Sequence, residues 1–214
     1  MTGQIIRMPD IRQVDPTDAA AKLRQDLLFA FHVVDMLGQP SGMGSHLTAR
    51  LPGADTFMFH VHNFGFGDKN ASLTLYSNKK GSGIASLYKR RLDHFNIDMD
   101  VKEEIDIKTI DAFCNEINIT NINFLKLDIE GNELKALHGA KTMLENHKVD
   151  FIQFEFGGCN IDSRTYFQDF YYLLKEDFYI YRIVKDGLFK IESYKEMYEA
   201  FITTNYLAER KKII

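Results

Sequence analysis

The chain has 214 residues, 45% hydrophobic and 26% charged, with 26 Lys and Arg against 30 Asp and Glu for a formal net charge of −4. That composition suits one core of ordinary size, or a core with an added segment, and excludes wholesale disorder. The only dense basic cluster, Lys89-Arg90-Arg91, is short and closely followed by Asp93, so no nucleic acid partner is expected, because neutralising phosphates takes many cations on one face.

Two widely separated cysteines, Cys114 and Cys159, form neither a metal knuckle nor a redox pair, and a reducing, cytoplasmic setting is the simplest expectation. No stretch approaches the ~20 apolar residues that cross a bilayer, so neither membrane spanning nor secretion is expected.

Taken in chain order, Asp15 to Gly38 reads as a helix, with Asp15 as cap, Pro16 in the first turn and Leu23, Leu27, Phe31 and Val34 as its apolar stripe. A breaker-rich loop from Gln39 to Gly44 leads to strands at His46–Arg50 and Thr56–Val61, separated by a turn at Pro52-Gly53. After a glycine-rich turn near Asn63 to Asn70, Ser72–Tyr76 alternates like a strand and Lys79–Gly83 is a loop. A strand at Lys102–Ile107 and a helix at Thr109–Glu116 follow, with Asp111 capping or bracing that helix.

Element types alternate in the second half. A strand at Phe124–Ile129, a helix at Glu133–Glu145, a strand at Asp150–Phe156 and a helix at Ser163–Leu174 precede strands at Phe178–Val184 and Leu188–Ile191. Strand, helix, strand, helix and a closing hairpin specify a layered α/β sheet. The N-terminal helix is available to cover one of its faces.

The most informative run is Asn123 to Leu134, where an apolar strand ends in Asp128, Glu130 and Glu133, with Gly131 among them, just as a helix pattern begins. Ligands of open α/β sheets bind outside the carboxyl ends of the strands. Glu130 and Glu133, three apart, would share a face in a helical first turn and favour its positive end. For Glu133 capping is the preferred reading, and for Asp128 and Glu130 function is preferred.

Glu155 interrupts the next apolar strand, where an unpaired buried charge is costly, so it belongs at the rim beside Asp128 on an adjacent parallel strand. Facing carboxylates raise one another's pKa and offer a general base; a hard cation such as magnesium is the lesser alternative. Asp162 or Ser163 starts a helix, Arg164 meets either an anion or solvent, and His138 is a packing or surface residue. Tyr171 and Tyr172 are expected to pack on the core or sheet. His60 and His62 point the same way on a strand, but two ligands do not make a zinc site, and no metal site is assigned.

From about Val61 onward the chain resembles the FkbM family of S-adenosylmethionine-dependent methyltransferases. The resemblance rests on Gly67-Asp68-Lys69, Leu73–Tyr76, Ser86-Leu87, Thr109-Ile110-Asp111, Phe124–Leu134 with Leu137–Ala140, and Phe151–Glu155. It implies an α/β fold with a Rossmann-like methyltransferase sheet, S-adenosylmethionine as cofactor, and methyl transfer to an oxygen, or less often a nitrogen, of a small-molecule or saccharide-containing acceptor. Asp128, Glu130 and Glu155 fall where the family pocket approaches cofactor and acceptor and are the catalytic candidates.

The family's opening strand, its glycine-rich turn and its acidic ribose-binding strand are not recognisable before Val61, so cofactor-binding residues are not assigned and the methyltransferase sheet is expected to be partial. Residues 15–60 instead resemble the start of the class II aldolase and adducin family, through Ala19–Leu37, Ser41–Pro52 and Asp55–Phe59. That resemblance implies a division at residue 60 into an atypical N-terminal helical and strand segment and the methyltransferase-like domain, 61–214. A zinc lyase is disfavoured, since His60 and His62 come too early to match that family's zinc ligands.

A natural fusion, a rearranged gene and a truncated product with a replaced beginning all fit. An active methyltransferase and an inactive remnant serving as an interaction module stay open as alternatives. Missing first strands would expose a sheet edge and favour a homodimer, unless Leu47–Val61 pair there.

Overall fold

The computed structural model describes residues 5–7 and 64–212. The expected helix at Asp15–Gly38, the strands at His46–Arg50 and Thr56–Val61, and both His60 and His62 lie outside the described residues. Within them the chain forms two sheets rather than one. Strands β1 (Ile5–Arg7), β5 (Ile122–Leu127), β6 (Val149–Phe156), β7 (Phe178–Val184), β8 (Gly187–Lys190) and β9 (Thr204–Arg210) make a six-stranded sheet in the order β1-β8-β7-β9-β6-β5. Strands β2 (Gly65–Phe66), β3 (Ala71–Ser77) and β4 (Val101–Lys108) make a three-stranded sheet in which β4 is central, antiparallel to β3 and parallel to β2.

The helices are α1 (Ile110–Glu116), α2 (Glu133–His138), α3 (Lys141–Glu145), α4 (Gly158–Ser163) and α5 (Phe167–Leu174). Strands β5 and β6 are parallel, with Leu127 opposite Phe154, and this register carries Asp128 and Glu155 to neighbouring strand ends. The expected hairpin is present as β7 and β8, prolonged by an Ile191 N–H bond to Ile180 O of 2.8 Å.

Strand β9 was not anticipated. It runs antiparallel between β6 and β7, pairing Phe154 with Tyr206 and Ile180 with Ala208. Only Tyr206 and Ala208 of its seven residues are buried, too short an apolar signal to mark a strand before its two neighbours are known.

Of two expected helices, one is divided in two and the other starts later than expected. Glu133–Glu145 breaks at Gly139-Ala140, and a Cβ built on Gly139 would stand 2.0 Å from the carbonyl oxygen of Gly67. The helix expected at Ser163–Leu174 is α5 and starts at Phe167, because Ser163 is the last residue of α4, which Arg164 closes in the left-handed region with φ 57°. Thr109 caps α1 by accepting from Ala112 N at 3.0 Å, whereas the carboxylate of Asp111 reaches across to accept from Thr142 N (2.7 Å) and Met143 N (3.0 Å). Asp111 thus braces the start of α3 rather than its own helix.

The core lies between the six-stranded sheet and the helices, with Ile110 of α1, Leu137 of α2, Met143 of α3 and Phe170 of α5 in one buried cluster. Phe154 stacks on Phe170 at 4.5 Å and 7°, Tyr206 on Phe154 at 5.5 Å, and Phe156 meets Phe167 edge-on at 5.8 Å. Fully buried rings supply large apolar area and fix the depth at which the helix sits. Tyr171 packs against this core as expected, but Tyr172 is 55% exposed.

The close approach at Gly139 yields a direct expectation. Gly139→Ala forces a methyl into a fixed backbone oxygen and should destabilise the fold by about 3 kcal/mol, the upper part of the usual overpacking cost. Denaturant unfolding at unchanged slope measures it, and a variant as stable as the parent contradicts the packing.

Candidate functional site

The site is built where β5 and β6 end side by side. Immediately after β5 the chain turns sharply: Glu130 has φ 54° and Gly131 φ 103°. Such angles cost a side-chain-bearing residue roughly 1–3 kcal/mol. Glycine avoids that cost at 131, where a Cβ would also lie 3.0 Å from the carbonyl oxygen of Cys159.

The turn is held from beneath by Glu133. Its carboxylate is 0% exposed and accepts from Ile129 N at 2.8 Å and Gly131 N at 2.9 Å. Capping is therefore its structural role, as expected, though it caps a turn ahead of the helix. Burial outweighs these hydrogen bonds and lifts its pKa to about 7. Glu130, outside the helix in a left-handed conformation, does not share a helical face with Glu133 as the spacing suggested.

Three carboxylates surround the opening. Asp128 is exposed and bonded to Lys126 Nζ at 2.7 Å. Glu130 is 18% exposed and forms a 2.6 Å ion pair with Arg90 Nη1, whose own side chain is 13% exposed. Glu155, partly buried on β6, is pushed up to about 7, first by burial and then by the charges of Asp128, Glu130 and Glu133, with only Lys126 opposing. Glu130 is also raised by burial, against the pull of Arg90.

Beside them Cys159, at the start of α4, is 2% exposed, and burial pushes its thiol well above the ordinary range. The nearest donor atoms of Glu130, Glu155 and Cys159 all lie within 4.8 Å of one another. These three could offer atoms to a cation, and at Glu130 the Arg90 guanidinium already fills that role.

Residues 86–91, of which the sequence offered Ser86-Leu87 as part of the family resemblance and Lys89-Arg90-Arg91 as a short basic cluster, strap this site. Ser86 Oγ donates to Glu130 O (2.7 Å), Tyr88 OH donates to Asn132 Oδ1 (3.2 Å), Arg90 binds Glu130, and Arg91 N donates to Asp162 Oδ1 (3.4 Å). Asn132 in turn donates to Phe66 O at 2.8 Å, joining the small sheet to the turn. The helix-start expectation for Asp162 and Ser163 is corrected: they end α4, and Gly157 precedes it. Arg164 and His138 are exposed and outside the cluster.

Two buried donors beside the carboxylates, Arg90 Nε and Asn160 Nδ2, have no partner among the described residues. Asn160 is otherwise engaged, its Oδ1 accepting from Gly157 N at 2.8 Å.

A family model described as the methyltransferase FkbM domain matches residues 48–181, well over half of the chain. The chain belongs to the FkbM methyltransferase family. Its mixed α/β architecture agrees with a Rossmann-like methyltransferase fold. The family match takes in the strap, the turn and both strand ends, and it begins within the segment compared above with aldolases and adducins. That aldolase likeness has no support beyond the residues that suggested it. Neither a curated protein nor a solved structure gave a significant match. No helix among the described residues is long and apolar enough to cross a membrane.

The burial of Glu133 makes stability depend on pH. Its carboxyl binds a proton up to about pH 7 when folded and only up to about 4.5 when unfolded, so folding takes up a proton in that window and stability falls as pH rises through it. The contribution is whole below 4.5 and gone above 7. Glu133→Gln, which leaves two backbone N–H groups to share one amide oxygen, should cost about 1–3 kcal/mol at pH 5. The difference from the parent should narrow by pH 8, as read from denaturant midpoints at the two values; a constant difference contradicts it.

Proposed function

We propose that this FkbM-family chain is an S-adenosylmethionine-dependent methyltransferase that methylates a hydroxyl oxygen of a small-molecule or saccharide-containing acceptor. The single observation that carries the reading is the position of Glu155 on the β6 rim, partly buried, next to Asp128 and within 4.8 Å of Glu130; burial and these neighbouring charges push its carboxyl up to about 7. A base is most useful when its pKa lies near the working pH.

The described residues fit the charged side of such a cofactor. Asp128, the exposed carboxylate of the rim, would face the positively charged part, since an anionic rim favours a cation. When bound, the cofactor supplies an activated methyl on a sulfonium sulfur.

The rest falls to the chain's own groups. Arg90 Nε and Asn160 Nδ2, buried and without a partner among the described residues, are donors that an acceptor's oxygens would satisfy on entering the site. Glu155 takes the proton that the reacting hydroxyl gives up. Buried donors beside carboxylate acceptors suit a polyol, whose hydroxyls both donate and accept.

Calorimetric titration of the folded chain with S-adenosylhomocysteine tests the cofactor. Micromolar binding is expected, and no heat from a demonstrably folded sample overturns the reading in favour of an interaction module. Methyl transfer from labelled cofactor into a panel of hydroxylated acceptors then tests the reaction. Because Glu155 acts deprotonated, turnover should climb about tenfold per pH unit below 7 and level off above it. Glu155→Gln should lower turnover about 10²–10⁴-fold, the usual worth of a positioned base, and remove that pH limb while S-adenosylhomocysteine still binds.

A further inference from the structure

Removed in sequence from both strand ends, Arg90 is the one cation that touches Glu130, at 2.6 Å, among the described contacts. It is held there by the strap, anchored at Ser86, Tyr88 and Arg91 to three separate points of the site. Lys89, beside it, turns away to Asp100 at 2.7 Å. The three consecutive basic residues thus serve different ends, and only one is directed at the carboxylate pair.

We infer that Arg90 is a positioning residue that keeps Glu130 an anion, so that the single exchangeable proton of the Glu130 and Glu155 pair resides on Glu155. Resting on the reading of Glu155 as proton acceptor, this assigns the residue that makes two nearby carboxylates unequal.

The surroundings of the two differ in the required direction. Glu155 faces Asp128, Glu130 and Glu133, with Lys126 as the opposing cation and the thiol of Cys159 close by. Glu130 faces Asp128 and Glu155 but has a guanidinium at bonding distance, and its carbonyl is fixed by Ser86. Two acids this close cannot both ionise freely, and a fixed cation on one decides which is protonated last. Without Arg90 the pair would share the proton, and titration would belong to both residues.

The test is a pH titration of the glutamate side-chain carboxyl carbons by ¹³C NMR on the full chain, with the two signals assigned through Glu130→Gln and Glu155→Gln. It needs neither cofactor nor acceptor, so a chain that transfers no methyl can still show the effect, and the two readings fail separately. In the parent, Glu130 should ionise at lower pH than Glu155, the two curves remaining distinct. Arg90→Met should raise the Glu130 midpoint by about one pH unit or more, the usual effect of losing an adjacent opposite charge, and make both carboxyls report the same two steps.

Arg90→Lys retains the charge and should keep the curves apart, which also covers the case of a methionine variant that fails to fold. A parent in which Glu130 ionises above Glu155, a folded Arg90→Met with both curves unmoved, or merged curves in Arg90→Lys would overturn the assignment.

Discussion

A fully buried carboxylate at the head of α2 governs the site. Glu133 has no cation at bonding distance, only the N–H groups of Ile129 and Gly131, and burial still raises its pKa to about 7. Such a group is retained at a cost to stability, and what it secures is a backbone shape. With both N–H groups directed at one side chain, the chain after β5 must turn through Glu130 and Gly131 at positive φ. Gly131 then rests against the carbonyl of Cys159, so the exits of β5 and β6 become one rigid piece.

The strap can reach its targets only because that piece is rigid. Ser86 bonds to a carbonyl, and Arg90 to a carboxylate, that the Glu133 turn has already oriented. Asn132 passes the constraint on to the small sheet through Phe66. Electrostatics follows from this geometry: each acidic group at the rim has the same chemistry but different company. Asp128 has Lys126 and water, Glu130 has Arg90, Glu133 has backbone, and Glu155 has chiefly other anions. Environment, more than residue type, divides their roles.

The handover from β5 to α2 was legible because three local signals coincide there: an apolar strand, clustered carboxylates and a glycine. The parallel pairing that sets Glu155 beside Asp128 followed from the alternation of element types. What could not be read locally depends on distant backbone. The break at Gly139 exists because Gly67 comes against it, and nothing near residue 139 signals that contact. Arg90 is forty positions from Glu130, so its neighbours in sequence describe only a basic cluster. The left-handed angle at Glu130 was hidden for a related reason, since the spacing to Glu133 suggested a shared helical face and the N–H bonds to Glu133 impose a turn instead.

Strand β9 shows how far the site's support extends beyond the matched region. It lies against β6 along its length and is fastened at both ends. At one end Arg210 Nε donates to Val149 O at 2.6 Å. At the other, Gly157 faces Thr203 so closely that a Cβ would stand 2.5 Å from its Cα. Between them Gln153 donates to Asn205 Oδ1 at 2.8 Å, and Asn205 is the residue opposite Glu155 in the ladder. The carboxylate at the rim is therefore carried by a strand with a hydrogen-bonded neighbour on each side, β5 and β9. A carboxylate on such a strand keeps its place while its charge changes, because the backbone bonds that hold it do not involve the titrating group.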